Sequence, residues 1–70
     1  MLFMTKIVIP ASRGAHDRVL KRAIAVLDDA NIRADGKVLL AYPVLRVAEW
    51  DVEPALSVLH SAGIRASLHL

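Results

Sequence analysis

The stretch Lys37-Val38-Leu39-Leu40-Ala41-Tyr42-Pro43-Val44 decides how this sequence is read. Its V-L-L-A-Y core is a continuous apolar run without polar alternation, the pattern of a central strand buried on both faces of a parallel sheet. Upstream, Phe3 to Ile9 (F-M-T-K-I-V-I) is rich in β-branched residues and is stopped by Pro10, as a first strand would be. Ser12-Arg13-Gly14 then forms a turn with Ser12 or Gly14 as N-cap, and Asp17 falls in the first helical turn, where the dipole favours an anion. Leu20, Ile24 and Leu27 repeat at helical spacing and predict a helix to about Ala30, with Asn31 and Gly36 as the turn residues that release the chain. Downstream, Asp51 or Glu53 can cap a second helix whose apolar face is Val52, Ala55, Leu56, Leu59 and Ala62, ending at Gly63. Arg65 to Leu70 alternates, placing Ala66, Leu68 and Leu70 inward in an edge strand.

The predicted fold class is α/β: a small, three-stranded, mainly parallel sheet in β-α-β-α-β order with two helices, half of a doubly wound fold, formed by residues 1–70 as a single domain. Strand order 1-2-3 would leave one sheet face uncovered, whereas 2-1-3 would place one helix on each face.

Composition narrows the function. The chain has 70 residues, no Cys, 56% hydrophobic residues and a mean hydropathy of +0.46. Disulfides and thiolate metal sites are therefore excluded. A chain this short buries only about 60% of its unfolded surface, so the apolar excess predicts a covered interface, with a homodimer as the simplest case. The longest uncharged stretch, Val38 to Leu45, is far short of the roughly 20 residues that span a bilayer, and no signal-peptide pattern opens the chain. A cytoplasmic protein without membrane contact is expected.

Lys6-Ile7-Val8-Ile9-Pro10, a small-residue turn, an Ala-rich helix and then Val38-Leu39-Leu40-Ala41-Tyr42-Pro43 resemble the opening of universal stress proteins. Leu59-His60-Ser61-Ala62-Gly63-Ile64, leading into Arg65 to Leu70, extends the likeness over most of this chain, which matches only the first half of that family's domain. The resemblance implies a parallel α/β fold and a tendency to pair. It does not carry the family's nucleotide site, because Ser12 stands where nucleotide-binding members have Asp, and no glycine-rich phosphate loop follows.

In a parallel sheet the strand C-termini would gather Ser12, Arg13, Gly14 and His16 beside Arg46 and Trp50, a candidate anion or ligand site at a helix N-terminus. Arg13, Arg18, Lys21 and Arg22 form a basic patch that could meet nucleic acid, since only Asp17 opposes the positive charge of residues 1–22. His16, His60 and His69 lie on separate elements, so no metal site is expected. No base, nucleophile and orienting acid converge, so no catalytic residues and no cofactor are expected. The reading is a non-catalytic interaction module that self-associates and acts as a regulator or inhibitor through a protein partner, with Ala66, Leu68 and Leu70 as interface candidates. Nucleic-acid binding through the first helix and anion or nucleotide binding at the strand ends are the alternatives.

Overall fold

A computed structural model describes residues 4–10, 14–39 and 42–68, with the side chain of Leu39 outside that description. The elements run β1 (Met4–Val8), α1 (His16–Asp29), β2 (Ala34–Leu39), β3 (Tyr42–Ala48), a short 3-10 turn (Glu49–Asp51), α2 (Val52–Ser61) and β4 (Ser67–Leu68). The sheet order is β2-β3-β1-β4. Every neighbouring pair is antiparallel: Val8 lies opposite Val44, Leu39 opposite Tyr42, and Ile7 opposite Leu68. A β-α-β-β-α-β chain in this order is the doubled split β-α-β arrangement of ferredoxin-like domains.

This overturns the parallel three-stranded sheet in β-α-β-α-β order, and neither strand order 1-2-3 nor 2-1-3 is formed. The apolar run at Lys37 to Val44 is not one strand but parts of two, joined through residues 40–41. Hairpin loops of two residues usually announce themselves with Asn-Gly or Asp-Gly. Leu40-Ala41 carries no such mark, so the run reads as continuous.

The turn expected between Asn31 and Gly36 was also too long. Asn31, at φ 64°, does release the chain from α1, but β2 begins at Ala34 and contains Gly36. Gly36 is there for space: a Cβ on it would lie 3.0 Å from Ile24 Cδ1 and 3.2 Å from Leu20 Cδ2. The missing side chain lets α1 press closely against the sheet.

The helices keep their expected apolar faces, but Ala15 rather than Ser12 or Gly14 is the N-cap of α1, Asp51 before α2 makes no side-chain cap bond, and β4 covers Ser67–Leu68 within the expected Arg65 to Leu70. Helix α1 buries Leu20, Ala23 and Leu27, and α2 buries Ala55 and Leu59. Gly63, at φ 78°, ends α2 in the left-handed conformation that glycine adopts without steric cost. Ile7 and Ile9 from the β1 segment and Leu45 and Val47 from β3 complete one shared core. Full burial of each such aliphatic side chain is worth about 1.5–3 kcal/mol. Both helices therefore pack against the face that carries Ile7, Leu45 and Val47. Among the described residues, no helix is long and apolar enough to cross a membrane.

The Gly36 contact makes a stability prediction. Gly36→Val should destabilise the chain by about 1–3 kcal/mol through overpacking under Leu20 and Ile24. Combining it with Ile24→Ala should cost less than the sum of the two single changes, as urea midpoints for the four proteins of the cycle would show.

Candidate functional site

Strand periodicity defines two surfaces. With Leu45, Val47 and Ile7 turned toward the helices, the alternate residues Tyr42, Val44 and Arg46 of β3, Lys6 and Val8 of β1, and Asp35 and Lys37 of β2 lie on the helix-free face. Val44 is only 2% exposed although it stands outside the helix-side core. Its neighbours on that face are Val8 and Lys37 across the strands and Tyr42 and Arg46 along its own.

Around this apolar centre the face is basic. Lys6 and Lys37 are exposed, and Tyr42 is 58% exposed. Asp35 is the only acid among the described residues at these positions, and Arg46 Nη2 donates to its Oδ2 at 3.3 Å. The Arg46 side chain is 41% exposed and that of Asp35 72%. The Nε of Arg46 is buried and has no acceptor.

The second surface is the outer face of α1. Arg18, Lys21, Arg22, Ala25, Asp28 and Asp29 are all exposed and recur at spacings of three and four residues, which aligns them in one stripe along the helix. The stripe is basic at its start and acidic at its end. That order opposes the helix dipole, which favours anions at the N-terminus and cations at the C-terminus by about 0.3–1 kcal/mol per exposed charge. Arg22 Nη2 also donates to the carbonyl of Ala62 at 2.9 Å, tying α1 to the end of α2.

The antiparallel sheet separates residues that a parallel one would have gathered. Gly14 and His16 follow the Val8 end of β1, whereas Arg46 and Trp50 lie toward the Met4 end, since Met4 pairs with Ala48. Trp50, 66% exposed, lines an open groove of about 690 Å³ with Met4, Arg46 and Asp51 rather than with the β1–α1 connection. Ser12 and Arg13 lie outside the described residues, as does Leu70. Of the basic patch, Arg18, Lys21 and Arg22 are exposed together on α1. Of the interface candidates, Ala66 packs against the core and Leu68, on edge strand β4, is 45% exposed.

His60 Nε2 donates to the Ala66 carbonyl at 2.9 Å and so fastens α2 to the segment leading into β4. No group of three or more potential metal-ligating side chains occurs among the described residues. The reading of the sequence missed Lys6, Lys37 and Tyr42 as one surface, and Asp28 and Asp29 as the counterpart of the basic patch. The alternation of Tyr42, Val44 and Arg46 with Pro43, Leu45 and Val47 was the available signal for the first.

An exposed ion pair such as Arg46–Asp35 contributes about 0–1 kcal/mol. Asp35→Asn should accordingly shift the thermal midpoint by no more than about 8 °C, measured by circular dichroism at low and moderate salt. Comparison with known protein families, curated proteins and solved structures finds no match for this chain.

Proposed function

We propose that this chain is a non-catalytic interaction module that works as a homodimer paired through α1. The observation that carries this reading is the stripe of Arg18, Lys21, Arg22, Ala25, Asp28 and Asp29, whose charges are complementary to those of its own reversed copy. Two such helices laid antiparallel about a two-fold axis at Ala25 bring Arg22 against Asp28 of the second copy and Lys21 against Asp29. Every contact occurs twice, as a closed symmetric interface requires. Ala25, small and exposed at the centre, allows the two backbones to approach closely.

The reversed charge order supports the same reading. An isolated α1 carries Asp28 and Asp29 at the disfavoured end, with Asp17 alone at the favoured one, and in the dimer Asp28 and Asp29 each meet a cation. The interface is small and polar, so its affinity is modest and sensitive to salt. It leaves both helix-free sheet faces turned outward, available for a partner.

Charge reversal tests the proposal. Sedimentation equilibrium should give a dimer at low ionic strength that dissociates toward 1 M salt, where the screening length falls to about 3 Å. Lys21→Asp and Asp29→Lys should each give monomers, and an equimolar mixture of the two should form a heterodimer, because position 21 of one then meets position 29 of the other with opposite sign in both places. A monomer under all conditions overturns the reading. A salt-resistant dimer that ignores both changes and dissociates on Leu68→Asp moves the interface to the β4 edge.

A further inference from the structure

The helix-free sheet face is a second, independent surface, and its charge decides what can cover it. Lys6 and Lys37 are exposed on either side of β3, and Arg46 lies between them, opposite Lys6 on one strand and Asp35 on the other. With the single carboxylate already engaged by Arg46, the face is net cationic. A second copy placed face to face would bring like charges together, so self-pairing is disfavoured here.

The face also carries a ring. Tyr42 is 58% exposed, on the same side as Val44 and Arg46 and at the end of β3 next to the hairpin. A sheet face with cations on the strands flanking β3 and an exposed aromatic at the end of β3 provides the two elements that hold a flexible nucleic-acid strand: charge for the phosphates and a π-face for a base. An acidic polypeptide would use the charges and leave the ring without a role. Arg46 can change partners at little cost, since its pair with Asp35 is exposed, which leaves its guanidinium able to donate to a phosphate oxygen.

We infer that the helix-free face binds single-stranded nucleic acid, with Lys6, Lys37 and Arg46 on the phosphates and Tyr42 stacked on a base. This site is on the side of the sheet opposite α1 and does not depend on the pairing of α1. It differs from a site on the basic part of α1 itself.

The test is fluorescence anisotropy with a labelled thymidine homopolymer, a duplex of equal length and polyglutamate as probes, in a range of salt concentrations. The single strand should bind more tightly than either alternative, and log K should fall with log salt at a slope of about −2, three contacts each releasing about 0.7 of a counterion. Lys6→Gln with Lys37→Gln should reduce the slope to about −0.7, a readout that requires only residual binding. Tyr42→Leu should weaken binding about ten-fold while Tyr42→Phe leaves it unchanged, and the lone Trp50, near Arg46, should change its emission as the strand binds. Absence of binding overturns the inference. So does equal affinity for polyglutamate or for duplex, and so does binding that survives the lysine changes but is lost with Arg18→Glu and Lys21→Glu.

Discussion

Strand β3 holds this molecule together because it pairs on both sides and faces both ways. Its inward residues Leu45 and Val47 are fully buried under the helices, and its outward residues Tyr42, Val44 and Arg46 form the middle of the opposite surface. Removing it would separate β2 from β1 and take away part of the surface on which α1 packs. The alternation of its side chains fixes both the core and the open face, since a slip of one residue would exchange them. The absent side chain at Gly36 lets α1 reach the sheet at that point, and the burial of Leu20, Ala23 and Leu27 follows from that approach.

The helices were legible in the sequence because they follow the rules that sequence can express. Leu20 and Leu27, like Ala55 and Leu59, sit at helical spacing, and Asn31 and Gly63 mark the two helix ends where the backbone turns left-handed. β1 was legible from its β-branched residues and Pro10, and the position of β4 from its alternation. The topology was not legible. β2 contains Asp35 and Gly36, residues that a strand disfavours on propensity, and what overrides propensity is pairing with β3 beneath the close approach of α1 at Gly36. Leu40-Ala41, between the paired Leu39 and Tyr42, has none of the turn residues that would have divided the apolar run.

The same error explains the fate of the candidate site. A parallel sheet places all strand C-termini together, which would have gathered Gly14, His16, Arg46 and Trp50. Antiparallel pairing sends β1 and β3 in opposite directions, and those residues part. The basic residues of α1 were visible from charge alone, but their relation to Asp28 and Asp29 is a property of a helix surface and emerges only once the exposed positions are known. Fold does not dictate function in split β-α-β domains, so the two surfaces have to be argued from their own residues.

The strand order carries a consequence for how the chain is made. β1 precedes every other element, yet its sheet neighbours, β3 and β4, come from the middle and the far end of the described chain. α1 and the β2–β3 hairpin can form from local contacts during synthesis, but the strand with the buried Ile7 must wait, its apolar side chains exposed, until β3 has been made. The sheet is therefore completed only when β4 arrives, in a closing step that holds the first strand between the third and the last. Premature truncation anywhere before β3 would leave β1 without any native partner, a fragment suited to chaperones or proteolysis rather than to partial function.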